Sequence, residues 1–81
     1  MENRVAVIGI IVENMESVPA LNATLSQYSD HIIGRMGLPY REKGVHIISL
    51  VVDAPEGIIN TIASKAGRLN GVSAKALYSN V

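Results

Sequence analysis

The sequence contains two histidines, His31 and His46, the side-chain type most often used for acid–base chemistry and metal binding. Both flank the segment between the second and third predicted strands, so a small antiparallel sheet can bring them close together. With Asp30 or Asp53 they would offer nitrogen and oxygen ligands of the kind that bind divalent cations. The alternative is structural: His31 ends the first helix and His46 begins a strand. We favour the structural interpretation and predict no metal site and no cofactor.

No other group of residues in the sequence indicates catalysis. A Ser-His-acid spacing and a glycine-rich phosphate loop of the GxGxxG or GxxxxGK[ST] type are both missing. Acylphosphatase shares the topology predicted here, but the Arg and Asn of its phosphate cradle have no convincing counterpart in this chain. We therefore predict that the protein is not an enzyme.

Two kinds of loop contain residues suited to holding a small effector. The strand-to-helix junctions at residues 13–15 and 53–55 place free helix N–H groups at one end of the sheet, where an anion or a carboxylate can bind. The segment 37–44 can close over a ligand at a subunit boundary, and it can equally be a solvated hairpin tip. The predicted effector-binding residues are Asn14, Met15, Arg35, Tyr40 and Arg41.

The strands and helices that position these residues are predicted from a segment of sequence that nearly repeats. Residues 5–13 align with residues 45–53, and each segment is a mainly apolar run closed by an acid, Glu13 or Asp53. Each run is followed by a stretch of helical period and then by a shorter alternating run. This pattern predicts a β-α-β unit twice, in one domain that spans residues 1–81.

Local signals set the predicted bounds of the elements. Strands are predicted at 4–13, 31–36, 45–53 and 72–78, with a loop at 37–44. Asp53 is predicted to cap the second helix, and Asn70-Gly71 to provide the left-handed stop after it. The apolar stripes of the two helices are Val18, Leu21, Leu25 and Tyr28, and then Ile58, Ile59, Ile62, Ala63, Ala66 and Leu69.

With right-handed connections between parallel strands, the order of elements β-α-β-β-α-β is typical of one known architecture. We predict an α+β, ferredoxin-like βαββαβ sandwich, with a four-stranded antiparallel sheet in the order 4-1-3-2 and two helices on one face. The first and third strands are apolar on both sides, so one apolar set must face away from the helices. The sequence leaves open which set this is, although we expect the bulkier one to face the helices.

The uncovered apolar set predicts self-association. Exposed patches of this kind mark interfaces, so we expect a homodimer or homotetramer through the sheet, with a small-molecule effector or a protein as a further partner. The alternative is that the central loop folds back over the face.

The composition indicates which kinds of partner and which cellular compartment to expect. Seven basic and seven acidic residues cancel, whereas proteins that bind nucleic acid directly usually carry a basic excess. We therefore expect no direct contact with nucleic acid. The chain has no cysteine, no recognisable signal segment and no apolar run long enough to cross a bilayer, which predicts a cytoplasmic protein without membrane contact.

Four segments resemble a known family. They are RVAVIGIIVEN (4–14), RMGLPYRE (35–42), VHIISLVVDAP (45–55) and KAGRLNGVSAK (65–75), of which the second and fourth are the more specific. Over its whole length the chain resembles the small stand-alone proteins known as proposed iron-only hydrogenase system regulators. Members of that family are similar to ACT domains and to the C-terminal domain of the nickel-responsive repressor.

The resemblance implies an ACT-like module with a transcriptional regulatory role linked to iron-only hydrogenase. The nickel site of the repressor uses several His and one Cys, so it does not carry over to a chain without cysteine. A ribbon-helix-helix segment for DNA binding is also missing from this sequence. We therefore expect regulation to proceed through a partner or through another surface of the protein.

Overall fold

The computed structural model describes residues 2–80. Short 3₁₀ turns at Met15–Ser17, Ser29–His31 and Arg41–Lys43 connect the main elements. In the described part of the chain these elements are β1 Asn3–Val12, α1 Val18–Ser26, β2 Ile32–Tyr40, β3 Val45–Pro55, α2 Glu56–Gly67 and β4 Val72–Tyr78.

The four strands form one sheet in the order β2-β3-β1-β4, and every neighbouring pair is antiparallel. This is the predicted order 4-1-3-2 read from the opposite edge, so the ferredoxin-like α+β fold is confirmed. The central strands are β1 and β3, the two that are apolar on both sides. Neither helix of residues 2–80 is long and apolar enough to cross a membrane.

The core lies between the helices and one face of the sheet. Alternate residues of β1 and β3 point into it, because successive side chains of a strand point to opposite faces. The fully buried strand residues are Ala6, Ile8, Ile10, Val12, Ile48, Leu50, Val52 and Ala54. Leu21 and Leu25 from α1 and Ile59, Ile62 and Ala66 from α2 cover them. The apolar set that contains Ile8 and Ile10 therefore faces the helices, and the set that contains Val7 and Ile11 faces away from them.

The turn before α1 lies against the turn that follows α2. Asn14 caps the 3₁₀ turn before α1, since its side-chain oxygen accepts a hydrogen bond from the Glu16 N–H at 3.1 Å. Gly71 has a φ of +71°, as predicted for a left-handed stop. Its carbonyl accepts the Glu13 N–H at 2.7 Å, so the two turns lie in direct contact.

Two of the predicted bounds are wrong. Residues 37–40 are not a loop but continue β2, where they pair with residues 45–48 of β3. An edge strand tolerates Pro39 because half of its N–H groups face away from the sheet. Asp53 does not cap α2, since it still pairs with Val5 inside the sheet. Pro55 occupies the N-cap position instead, without a side-chain hydrogen bond.

Candidate functional site

The sheet face opposite the helices is apolar and exposed. We call it the open face. Its aliphatic residues come from all four strands, and the most exposed are Leu77 at 73%, Met36 at 70% and Leu38 at 57% of their surface. The open face also contains Val5, Val7, Ile11, Ile47 and the partly buried Val51.

The strand register arranges these side chains in rows across the sheet. One row runs Leu77-Val7-Val51-Gly34, and another runs Ser73-Ile11-Ile47-Leu38. The row between them contains Lys75, Gly9, Ser49 and Met36. A Cβ atom built on Gly9 would meet nothing within 4 Å. The small residues Gly9 and Ser49 at the centre of this row therefore leave space between Val7 and Val51 on one side and Ile11 and Ile47 on the other.

The central loop does not cover this face. Because residues 37–40 stay in the sheet, Leu38 and Tyr40 extend the open face instead of folding back over it. The turn that remains is Arg41–Lys43, and it is closed by Gly44, whose φ is +66°. The alternative in which the loop shelters the apolar residues is therefore wrong.

Burial of the exposed aliphatic side chains of the open face would contribute a large free energy. Full burial of one such side chain contributes about 1.5–3 kcal/mol, so burial of seven that are roughly half exposed contributes about 5–10 kcal/mol per protomer. Loss of translational and rotational freedom on association costs roughly 4–15 kcal/mol. Two such faces packed together can therefore offset the cost of association.

Beside the open face, the β2–β3 hairpin and the loop after β1 enclose a cleft. Its volume is about 340 Å³, and its lining residues are Met15, Pro39, Tyr40, Arg41, Gly44, Val45 and His46. We call it the hairpin cleft. It brings together three of the predicted effector residues, Met15, Tyr40 and Arg41.

The other two predicted effector residues lie apart from the hairpin cleft. Arg35 projects to the helix side of β2, where its Nη2 donates to Oδ1 of Asn22 on α1 at 2.7 Å. Tyr40 lies five positions further along the extended strand, or roughly 17 Å away. Asn14 precedes Met15, but its side chain is occupied by the cap to Glu16. Neither lines the cleft.

The predicted effector residues left out four residues of the cleft wall, Pro39, Gly44, Val45 and His46. The continuation of β2 to Tyr40 pairs Pro39 with His46 and Tyr40 with Val45, and the composition of residues 37–40 gives no local signal of it. His46 leans over Gly37: its Nε2 is 3.3 Å from the position that a Cβ at residue 37 would take. The bare glycine therefore leaves room for the imidazole ring.

The histidines do not form part of a metal centre in the described residues. Within 2–80, no group of three or more His, Asp or Glu side chains is arranged to hold a metal ion. His31 ends a 3₁₀ turn and His46 lies in β3. Asp53 lies seven residues further along β3 from His46, near the opposite end of that strand.

Together these features define a small α+β sandwich domain with an apolar face free for association and a cleft beside it. Residues 4–76 match the TM1266-like family of proposed iron-only hydrogenase system regulators. The chain belongs to that family, which confirms the resemblance seen in the sequence. No curated protein matches the chain at a significant level.

Solved structures agree with this assignment. The uncharacterized protein TM1266 from Thermotoga maritima superimposes with a TM-score of 0.90 at 29% identity, over 95% of this chain and 98% of that one. A formyltetrahydrofolate deformylase from Pseudomonas putida KT2440 superimposes with a TM-score of 0.68 at 12% identity, over 95% of this chain and 29% of that one. The second likeness shows the fold alone.

Proposed function

We propose that this chain is a non-enzymatic, effector-sensing module of the iron-only hydrogenase system, and that it acts as a homo-oligomer. The observation that carries the proposal is the open face, whose aliphatic residues remain 37% to 73% exposed in the single chain. A second copy of the same face supplies an apolar surface of equal size. Membership of the family supports the regulatory role.

The charge on the β4 edge of the sheet favours a dimer through the open face over a dimer through that edge. Lys75 lies at the middle of β4, the edge strand next to β1. If two β4 strands paired around their centres, the two lysines would lie opposite each other, and like charges in that position are destabilising. A dimer through the open face does not pair two β4 strands, and Lys75, which lies on the edge strand of that face, would then sit at the rim of the interface. A tetramer would use a sheet edge as well.

In this proposal the chain influences transcription by binding a partner protein and does not bind DNA itself. Seven basic residues balance seven acidic ones, so the chain lacks the charge excess that displaces counterions from DNA. We expect no retardation of duplex DNA in a gel at physiological salt. Retardation that weakens steeply with added salt would instead indicate direct DNA binding.

A charge placed in the open face tests the proposed oligomer. Ile11 is 44% exposed and lies beside Ile47. The Ile11→Lys variant would bury an unpaired ammonium group in the dimer, which is strongly unfavourable. We expect its dissociation constant to rise at least tenfold in sedimentation experiments. The control is Ala20→Lys, which adds the same charge on the exposed side of α1.

The control variant should keep the oligomer of the unchanged protein. If Ile11→Lys associates as strongly as Ala20→Lys, the open face is not the interface. Far-ultraviolet circular dichroism of both variants shows whether the monomer fold is intact, so that loss of association and loss of folding are told apart.

The hairpin cleft supports a second candidate, a small-ligand-binding accessory protein. Its volume falls at the lower end of the range usual for ligand pockets. A thermal-shift screen over amino acids and divalent metals addresses it. A ligand at 100 times its dissociation constant should raise the stability by about 2.7 kcal/mol. No shift with any compound would count against this candidate and against the effector-sensing part of the first proposal, and would leave an oligomeric regulator with a protein partner.

A further inference from the structure

We infer that the hairpin cleft binds a small amphipathic anion, with an apolar body among Met15, Pro39 and Val45 and its carboxylate or phosphate on Arg41. This inference deepens the effector-sensing part of the proposed function and rests on it. The cleft belongs to a single chain, so the inference can be tested whatever the oligomeric state.

The walls of the cleft are apolar and come from two separate segments. Met15 belongs to the 3₁₀ turn after β1, whereas Pro39 and Val45 line the cleft from the hairpin. Met15 is 47% exposed in the single chain. An unbranched thioether adapts to ligands of different shape. Such walls favour an aliphatic or aromatic group over a purely polar one.

The Tyr40 ring is held in place at the hairpin end of the cleft. Its hydroxyl donates to Oε2 of Glu42 at 3.2 Å, within the same turn. The hydroxyl therefore already has a partner, and the Glu42 carboxylate is directed toward it. Tyr40 lines the cleft, and an aromatic ring can pack on an apolar or aromatic group.

The polar side of the cleft is cationic. Among residues 2–80, the Arg41 guanidinium makes no ion pair and no side-chain hydrogen bond. None of the residues that line the cleft is acidic. A planar guanidinium can bind a carboxylate through two parallel hydrogen bonds, and it binds phosphate oxygens in the same way. His46 also lines the cleft.

Titration by heteronuclear NMR tests this inference with defined probes. Phenylacetate supplies the carboxylate, phenyl phosphate the phosphate, and phenylacetamide is the neutral control of similar shape. The full 81-residue chain is used. We expect saturable shifts of the amide signals of Met15, Tyr40, Val45 and His46 with at least one of the two anions. The amide should bind at least fivefold more weakly, because it lacks the charge.

Paired variants show whether Arg41 carries the anion. Arg41→Gln should weaken binding of the anion about fivefold or more, as expected for a partly exposed charge-assisted contact. Arg68→Gln is the matched control, since Arg68 is an exposed arginine outside the hairpin cleft. It should leave binding unchanged. The spectrum of each variant confirms that its fold is retained.

Three results would overturn the inference: no saturable shift in the cleft with either anion, shifts confined to other surfaces, or equal binding of phenylacetamide. Sedimentation of the same samples keeps the two proposals apart. A monomer that binds the anion contradicts the proposed oligomer and leaves the cleft site standing. An oligomer that binds neither anion contradicts the cleft site alone.

Discussion

Two glycines with positive φ behave differently at the scale of single residues. Gly71 has a φ of +71° and Gly44 a φ of +66°. A Cβ at Gly71 would lie 2.6 Å from the Cβ of Asn14 and 3.0 Å from its backbone nitrogen, whereas a Cβ at Gly44 would meet nothing within 4 Å. The first site combines an unfavourable conformation with a steric overlap, and the second has only the unfavourable conformation.

We expect Gly71→Ala to destabilise the protein more than Gly44→Ala. An L-residue in the left-handed region costs about 1–2 kcal/mol, which is the effect expected at Gly44. The overlap with Asn14 should bring the effect at Gly71 to about 3 kcal/mol or more, within the range of overpacking. Denaturant unfolding of the two variants measures the difference. Equal losses of stability would show that the turn at Gly71 relaxes freely.

The hydrogen bond of Ser17 joins two elements. Ser17 lies at the start of α1 and is 8% exposed, and its hydroxyl donates to the carbonyl oxygen of Asn70 at 2.6 Å. Asn70 belongs to the turn between α2 and β4. This side chain therefore links the first β-α unit to the second, alongside the backbone contact of Glu13 with Gly71.

Removal of that hydroxyl should loosen the link. We expect Ser17→Ala to lower the free energy of unfolding by about 1–2 kcal/mol, the usual effect of losing a largely buried hydrogen bond. Ser26→Ala, at an exposed position of the same helix, should change it by about 0.5 kcal/mol at most. Denaturant unfolding compares the two variants. A loss at Ser17 no larger than at Ser26 would contradict the role of the bond.

Most elements could be predicted from the sequence because their signals are local. The alternating runs and the helical stripes predict the order of strands and helices, and the Asn70-Gly71 turn predicts where α2 must stop. The bounds of β2 and β3 could not be predicted in this way. Two glycines and a proline at 37–44 are typical of a loop, but pairing with β3 keeps residues 37–40 extended. Pairing with β1 likewise keeps Asp53 in β3.

The candidate site was predicted only in part, for a similar reason. Met15, Tyr40 and Arg41 meet because β2 continues to residue 40, which its composition does not show. Arg35 was grouped with them by closeness in sequence. The alternation of the strand instead directs it to the helix side, where it contacts Asn22. The contact of Asn14 with Gly71 joins distant parts of the chain and has no local signal.

At the scale of the whole molecule, the proposed oligomer links stability to concentration. When unfolding is coupled to dissociation, the folded state gains stability as the protein concentration rises. We expect the thermal midpoint to increase by several degrees between about 1 and 100 µM, since about 1 kcal/mol shifts the midpoint of a small domain by about 4–8 °C. The midpoint of the Ile11→Lys variant should not depend on concentration. A constant midpoint in the unchanged protein would indicate a monomer that unfolds alone.

The central claim is that a second copy of the chain covers the open face. Sedimentation equilibrium at micromolar concentration measures this most directly, because it reports mass without labels or immobilisation. The account predicts a species of at least twice the 8.6 kDa of the single chain. A single species of 8.6 kDa across that concentration range would contradict it.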